Sequence, residues 1–238
     1  MNFIHAQNHD AGALELAERI AEALNVGRPV LWLVCGGSNI STAAATLDHI
    51  RAKTDASALA RLTLALTDER YGPVGHADSN WAQLVETGVD LNGFTSVPIL
   101  TGGSLEETVA AYSGRIAPIL NAVGSAGGLI IALFGIGPDG HIAGIIPHSP
   151  AVDAPGLVYG YDAGIFTRIT LTAPVLKMAS AAYVFAFGSS KKDALERLRD
   201  GKASFADEPA VILRDIPEAF VYNDQVTLSF NSHLQQHE

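Results

Sequence analysis

The chain alternates between short apolar runs and longer segments in which apolar residues recur with helical spacing. Leu129–Phe134 is a continuous, β-rich apolar run, typical of a strand buried on both faces of a parallel sheet. In Asp10–Leu24 the apolar positions are mixed with acidic ones, which indicates a surface helix. Strands that alternate with helices predict βαβ units, and therefore an α/β fold with a Rossmann-like, mostly parallel sheet and helices on both faces.

The same patterns divide the whole chain into predicted elements. Strands are predicted at Pro29–Cys35, Leu62–Thr67, Leu129–Phe134, Leu157–Tyr161, Arg168–Thr172 and Tyr183–Phe187, with edge strands at Ala210–Leu213 and Ala219–Tyr222. Helices are predicted at Asp10–Leu24, Ile40–Ile50, Asp78–Glu86, Leu105–Leu120 and Ser189–Leu198, with a turn at Gly124–Gly128 and a frayed tail at 232–238. We expect a single domain over residues 1–238, with a small β-containing extension beside the main sheet.

Composition narrows the classes of protein to which the chain can belong. Of its 238 residues 48% are hydrophobic and 17% charged, so it can form a substantial core. The net charge of −10, without a basic block, argues against a nucleic-acid partner. Cys35, the single cysteine, ends an apolar run, which favours a buried structural thiol. Without a signal-peptide pattern or an apolar run of ~20 residues, we expect a cytoplasmic protein that does not contact membranes.

A glycine-rich turn follows the run Leu129–Phe134 and carries the clearest candidates for chemistry. It presents Asp139 and His141, two positions apart. A histidine exchanges protons near neutral pH, and a neighbouring carboxylate can fix its tautomer and support its charged form. The turn also matches G-x-G-x-x-G, but Pro147 follows too soon for the long helix that a dinucleotide site needs. The alternative is a glycine-rich turn whose histidine has no function.

Two earlier junctions between predicted elements carry groups suited to anions. Gly36 and Gly37 allow the backbone to approach a ligand, and Ser38 can cap the next helix, whose N–H groups favour phosphate or carboxylate. Asp68 and Arg70 follow the next strand; the arginine can clamp an anionic oxygen, while the aspartate orients the arginine or accepts from a sugar hydroxyl. The alternatives are an ordinary capped turn and a surface ion pair.

Further cations lie at the ends of later strands. Of Lys191 and Lys192, at the start of a predicted helix, one is expected to serve an anionic ligand, because a cation there opposes the helix dipole. Arg168 opens another strand and is equally consistent with a surface charge. In one parallel sheet these junctions share the carboxyl edge, where the cations, His141 and Asp139 would face one pocket. Such a pocket suits a phosphorylated or carboxylated polyol and proton-transfer chemistry.

Three other kinds of site are not supported by the sequence. The glycine loop is not a P-loop, because no Gly-Lys-Ser/Thr follows it. Ser38 is not the nucleophile of a G-x-S-x-G turn, because Asn39 and Ile40 follow it. His141 and His148 lack the H-E-x-x-H spacing of a zinc site, so we predict no metal ligands.

In their order along the chain, these motifs resemble the 6-phosphogluconolactonase family, which is related to the glucosamine-6-phosphate isomerase/deaminases. The resemblance spans most of the chain and rests on Gly36-Gly37-Ser38, Thr67-Asp68-Glu69-Arg70 with His76 and Asp78-Ser79-Asn80, the turn from Gly135 to His141 with Pro147 and Ser149-Pro150-Ala151, Arg168-Ile169-Thr170-Leu171-Thr172, and Gly188-Ser189-Ser190-Lys191. It implies hydrolysis of 6-phosphoglucono-δ-lactone in the pentose phosphate pathway, without a metal or redox cofactor. It also implies that His141 activates water, that Asp139 holds the imidazole, and that Arg70, Lys191 and the glycine loop hold the phosphate.

The chain departs from the family pattern at several positions: Asn39-Ile40 replaces Thr-Pro, Ile142 and Gly144 replace Thr and Ser, and His148 stands where glycine is common. Two other functions stay open, an isomerase or deaminase of amino-sugar phosphates and a non-catalytic sugar-phosphate-binding protein. The deaminases resemble one another in an Asn-Glu pair after the histidine, where this chain has Gly144-Ile145-Ile146, and usually place tyrosine at the position of Arg70. These differences favour the lactonase. Separately, we expect the protein to be a monomer or small homo-oligomer.

Overall fold

The computed structural model describes residues 1–227, so the tail predicted to be frayed lies outside the described residues. The strands are β1 (Asn2–His5), β2 (Val30–Val34), β3 (Leu62–Leu66), β4 (Asp68–Arg70), β5 (Thr95–Val97), β6 (Leu129–Phe134), β7 (Val158–Asp162), β8 (Thr167–Leu171), β9 (Ala181–Ala186) and β10 (Glu218–Asn223). The helices are α1 (Asp10–Asn25), α2 (Ile40–Lys53), α3 (Ala56–Leu59), α4 (Asn80–Glu86), α5 (Leu105–Ser125), α6 (Ala173–Leu176) and α7 (Lys192–Asp200). None of them combines the length and apolar character that crossing a membrane requires.

Seven strands form one parallel sheet in the order β1-β10-β9-β6-β2-β3-β5. Every residue of β2 is buried, and because successive side chains of a strand point to opposite faces, both faces of the sheet are covered there. A second, antiparallel sheet has the order β4-β8-β7 and is the small β-containing extension. The predicted fold class is therefore confirmed.

The core lies between the parallel sheet and its helices. Trp32 of β2, Phe134 of β6 and Tyr183 of β9 are almost completely buried, and side chains of this size each contribute about 1.5–3 kcal/mol when they leave water. Tyr112 of α5 is also buried, and its hydroxyl donates to the backbone carbonyl of Leu66 at 2.5 Å. This bond anchors α5 at the carboxyl end of β3.

Helix α5 is longer than the sequence predicts. The predicted end lies before Asn121, whereas the helix continues to Ser125. Because Leu120 and Val123 are both buried, the apolar stripe of the helix passes beyond the exposed polar position at which the prediction ends. The turn predicted at Gly124–Gly128 therefore begins only after Ser125.

Near the carboxyl terminus one predicted edge strand does not form, and the other forms but does not lie at an edge. Ala210–Leu213 is not an edge strand, because it lies within a 3-10 helix at Pro209–Arg214. The buried residues of this helix are Pro209, Ala210, Ile212 and Leu213. Ala219–Tyr222 lies in β10, which is not at an edge, because β1 pairs with its outer side. The strand β1 has four residues, which is too few for its apolar pattern to predict a strand.

Candidate active site

The carboxyl ends of four neighbouring strands form one cleft. Strands β9, β6, β2 and β3 lie side by side, so the loops that follow them meet at one edge of the sheet. The cleft has a volume of about 210 Å³. Its walls include Gly36, Gly37, Ser38, Asp68, Arg70, His141, Arg168 and Lys191, each of which is predicted from the sequence. The remaining predicted residue, Asp139, is not one of the residues that line the cleft, but it contacts His141, which does.

His141 and Asp139 form a hydrogen-bonded pair after β6. Nδ1 of His141 lies 2.7 Å from Oδ1 of Asp139, which also accepts from the backbone N–H of His141 at 3.2 Å. The hydrogen bond from the His141 side chain lowers the pKa of Asp139 from 3.8 to about 2, so this carboxylate is ionised near neutral pH. Because a carboxylate only accepts, Nδ1 carries the proton, and Nε2 of the neutral ring is left as an acceptor. This arrangement suits a general base.

Gly137 provides the room for this pair. A Cβ atom at its position would lie 2.0 Å from Nδ1 of His141 and 2.5 Å from Oδ1 of Asp139. The backbone N–H of Gly137 also donates to the carbonyl of His141 at 2.9 Å, which closes the turn. Glycine is required at this position because His141 and Asp139 approach its backbone closely, and a dinucleotide-binding motif is not needed to explain it.

The glycine loop after β2 lies against the start of α4. A Cβ atom on Gly36 would lie 1.8 Å from Oδ1 of the buried Asn80, whose Nδ2 donates to the carbonyl of Asp68 at 2.9 Å. Asn80 therefore lies between the glycine loop and the segment that begins at Asp68, and contacts both. The prediction that Ser38 caps the next helix is wrong, because Ser38 lies inside a 3-10 turn, Gly37–Asn39, whereas an N-cap residue needs a non-helical backbone.

Glu69, which lies between Asp68 and Arg70 in the sequence, has a structural role. Its buried carboxylate accepts hydrogen bonds of 2.6–3.0 Å from the backbone N–H groups of Arg70, Asn80 and Trp81 and from the Ser79 hydroxyl. Burial raises the pKa of Glu69, and these hydrogen bonds oppose the rise. Most of the donors belong to the start of α4, so Glu69 caps this helix and fixes it to β4.

Two arginines line the cleft from adjacent strands. The pairing of β4 with β8 places Arg70 directly opposite Arg168. Nη1 of Arg168 lies 3.6 Å from Oδ2 of the buried Asp68, whereas Nη1 of Arg70 donates to the carbonyl of Asp78 at 2.9 Å. The segment Asp68–Arg70, which the sequence analysis places at a junction after a strand, is itself a strand, and its pairing with β8 brings the two guanidinium groups together.

The structure also distinguishes the two lysines after β9. Lys191 lines the cleft and is half-buried, whereas Lys192 is exposed at the start of α7. Burial lowers the pKa of Lys191, and the charge of Asp139 opposes this change. A partly desolvated ammonium group interacts more strongly with an anion than an exposed one does. Lys191 is therefore the lysine suited to an anionic ligand.

A tight turn at residues 142–145 forms another part of the wall. Its end residues exchange backbone hydrogen bonds, and Ala143 and Gly144 between them have φ angles of 50° and 74°. The carbonyl of Gly144 accepts from the Tyr161 hydroxyl at 2.7 Å, and that of Ala143 accepts from the Thr170 hydroxyl. The antiparallel sheet thus holds this turn. Sequence reasoning missed both hydroxyl groups, although Thr170 lies in the R-I-T-L-T motif.

Comparison with known proteins identifies the family. A family model described as "Glucosamine-6-phosphate isomerases/6-phosphogluconolactonase" matches residues 5–221. The chain belongs to this family. The resemblance predicted from the ordered motifs is therefore confirmed.

Similar members of the family carry the name 6-phosphogluconolactonase. The protein from Rattus norvegicus is 28% identical over a match that covers 85% of this chain and 88% of the relative. The protein from Bos taurus is 30% identical, with 70% of this chain and 67% of the relative covered. The crystal structure of 6-phosphogluconolactonase from Thermotoga maritima has the same fold, with a TM-score of 0.72, 19% identity, and 93% and 98% of the two chains covered.

One departure from the family pattern, Asn39, joins three parts of the site. Its Nδ2 donates to the carbonyls of Phe134 and Phe185, at 3.1 and 3.2 Å, and lies 3.7 Å from Sγ of Cys35. It therefore connects the ends of β6 and β9 to the glycine loop. Cys35 is buried, as predicted, and burial raises the pKa of its thiol to about 12.

The other departures have local explanations. Gly144 has a positive φ, and a Cβ atom there would lie 2.8 Å from Cβ of Asp68, so serine would require a shift in this chain. Ile142 is fully buried in the core. His148 is exposed and lies 3.5 Å from Asp207 on the surface, away from the cleft wall. The contact between His141 and Asp139 is present with these residues at positions 142, 144 and 148.

Proposed function

We propose that this protein hydrolyses 6-phosphoglucono-δ-lactone to 6-phosphogluconate, the activity that the names of its relatives state, in the pentose phosphate pathway. The observation that carries this proposal is the 2.7 Å contact between His141 and Asp139 on a cleft that also presents Arg70, Arg168 and Lys191. A general base for water and several cations for a phosphate are the two features that this substrate requires.

The His141–Asp139 pair supplies the proton transfer. Nε2 of His141 takes a proton from water, whose oxygen attacks the lactone carbonyl carbon and forms a tetrahedral oxyanion. When the bond from that carbon to the ring oxygen breaks, the imidazolium returns the proton to the ring oxygen, which becomes a hydroxyl, and a carboxylic acid remains. The ionised Asp139 stabilises the intermediate imidazolium. Cations and backbone N–H groups of the cleft stabilise the oxyanion.

The cations and the glycine loop hold the phosphate in this proposal. Positive side chains directly opposite each other on adjacent strands repel, and a phosphate dianion beside Arg70 and Arg168 replaces this repulsion with attraction. Lys191 adds a third positive charge, and Gly37 and Ser38 offer backbone at the start of the next helix. Asp68 orients Arg168 or accepts from a sugar hydroxyl.

The turn after His141 favours lactone hydrolysis over isomerisation or deamination. At positions 144–146 the chain has glycine and two isoleucines, and Ile145 is fully buried. An isoleucine cannot transfer a proton, as the carboxylate of the Asn-Glu pair would. Attack of water on a lactone requires one base, which His141 provides.

A comparison of two substrates tests this proposal. The purified protein is assayed for 6-phosphogluconate formed from the lactone above the spontaneous rate, and for ammonia and fructose-6-phosphate formed from glucosamine-6-phosphate. We expect the first activity and not the second. Ammonia release would overturn the choice of reaction, and binding of 6-phosphogluconate without turnover of either substrate would favour a non-catalytic sugar-phosphate-binding protein.

Three further expectations from the sequence belong to this proposal. We propose one domain over residues 1–238, a monomer or small homo-oligomer, and a cytoplasmic location. Limited proteolysis, light scattering of the purified protein and fractionation of the source cells test them in turn.

A further inference from the structure

The hairpin that joins β7 to β8 places an aromatic ring beside the arginines. The backbone N–H of Ala163 donates to the carbonyl of Phe166 at 2.9 Å and closes the hairpin. Phe166 directly precedes β8 and lies two positions before Arg168. The bend before the strand turns the ring of Phe166 toward this arginine.

The ring of Phe166 is shared by two guanidinium groups. Cζ of Arg70 lies 5.3 Å from the ring centroid, and Cζ of Arg168 lies 6.0 Å from it. Both distances are within the range in which the negative face of an aromatic ring attracts a cation. The half-buried ring therefore offsets part of the repulsion between the two arginines, which the register of β4 and β8 places directly opposite each other.

The other side-chain contacts of the two arginines do not connect their guanidinium groups. Arg70 donates from Nη1 to the carbonyl of Asp78, and its buried Nε lacks a hydrogen-bond partner among residues 1–227. Arg168 lies 3.6 Å from the carboxylate of Asp68. The pairing of β4 with β8 places the two backbones opposite each other, and the ring of Phe166 is the contact that both guanidinium groups share, so it holds the ends of the two side chains relative to each other.

We propose that Phe166 is a positioning residue that holds Arg70 and Arg168 in place for the phosphate group of the substrate. The inference deepens the proposed function and rests on its assignment of the arginines to the phosphate. Phe166 acts through the arginines and does not contact the lactone carbonyl. Its loss should therefore weaken phosphate recognition while the chemical step at His141 is preserved.

The test compares Phe166→Leu, which removes the ring, with Phe166→Tyr, which keeps it. Loss of one or two cation–π contacts corresponds to an increase of about 3- to 30-fold in KM for the phosphorylated lactone and in Kd for 6-phosphogluconate. We expect kcat to stay at the wild-type value, and kcat/KM for glucono-δ-lactone, which lacks the phosphate, to stay unchanged. Phe166→Tyr should behave as wild type.

Two controls separate this role from general support of the hairpin. Ile165→Ala changes the neighbouring residue, which is 89% exposed, and should leave every constant unchanged. In a double-mutant cycle, Phe166→Leu should raise Kd by a smaller factor once Arg70 is replaced by alanine, because only the contact of the ring with Arg168 is then left to lose. Full additivity of the two substitutions would contradict the proposal.

The outcomes also separate this proposal from the proposed function. If the wild-type protein binds 6-phosphogluconate but does not hydrolyse the lactone, the proposed function fails, and the Kd values of the Phe166 variants still decide the role of the ring. If Phe166→Leu binds 6-phosphogluconate as tightly as wild type does, the positioning role is wrong whatever the turnover. An equal loss of kcat/KM on both lactones would likewise overturn it.

Discussion

Replacement of Asp139 by asparagine isolates the charge behind His141. The substitution keeps the size of the side chain and an oxygen that can accept from Nδ1, at the position where the present contact is 2.7 Å. What it removes is the negative charge beside the imidazolium that forms during proton transfer. Because Asp139 does not line the cleft, substrate binding should be affected much less than turnover.

The structure sets the size of the expected effect. A hydrogen bond to a charged partner contributes about 1.5–3 kcal/mol. The Asp139 side chain is 48% exposed and that of His141 33%, so solvent screens the pair, and we take the lower part of this range, about 1.5–2 kcal/mol. If this stabilisation is lost from the transition state, kcat falls about 10- to 30-fold, and KM stays near the wild-type value.

Lactone generated in the assay and coupled oxidation of 6-phosphogluconate would give both constants, after subtraction of the spontaneous rate. Asp48→Asn is a matched control, because Asp48 is an exposed carboxylate on α2 outside the cleft wall. It should hydrolyse the lactone as wild type does. An Asp139→Asn variant with the kcat of wild type would refute the reasoning that this carboxylate supports His141.

Two further predictions concern the cleft wall. Arg70→Ala should raise the Kd for 6-phosphogluconate about 10- to 100-fold, because a charge-assisted hydrogen bond is lost, and inorganic phosphate should compete with 6-phosphogluconate in wild type. Titration calorimetry would measure both effects, and an unchanged Kd would exclude Arg70 from the phosphate site. Gly137→Ala should lower kcat strongly, because its Cβ would lie 2.0 Å from Nδ1 of His141, whereas Gly124→Ala, in α5 with open space around it, should retain activity. Equal activity of these two variants would contradict the placement of His141.

Much of the fold was predictable because burial leaves a pattern in long elements. The run Leu129–Phe134 is bounded as predicted, since six consecutive apolar residues are needed where both faces of the sheet are covered. Short elements depend instead on their partners. Asp68–Arg70 is polar throughout and becomes a strand because β8 pairs with it, a relationship between segments far apart in the chain.

The candidate site divides in the same way. Charged residues directly after buried strands are unusual unless they serve a ligand, so Arg70 and Lys191 could be singled out from the sequence. The supporting contacts could not, because they join distant segments. Glu69 is in the same motif as Arg70, yet its role as a cap for α4 depends on donors about ten residues away. Phe166 meets Arg70 only through the pairing of β4 with β8.

The catalysed rate of 6-phosphoglucono-δ-lactone hydrolysis, measured for wild type and His141→Ala under the same conditions, tests the central claim most directly. Wild type should exceed the spontaneous rate, and the variant should lose about 10²–10⁴-fold of the catalysed rate, as expected when a general base is removed. Its thermal unfolding should be unchanged, because His141 lies in a surface turn with a third of its side chain exposed. A His141→Ala protein that hydrolyses the lactone as fast as wild type would contradict the proposed mechanism.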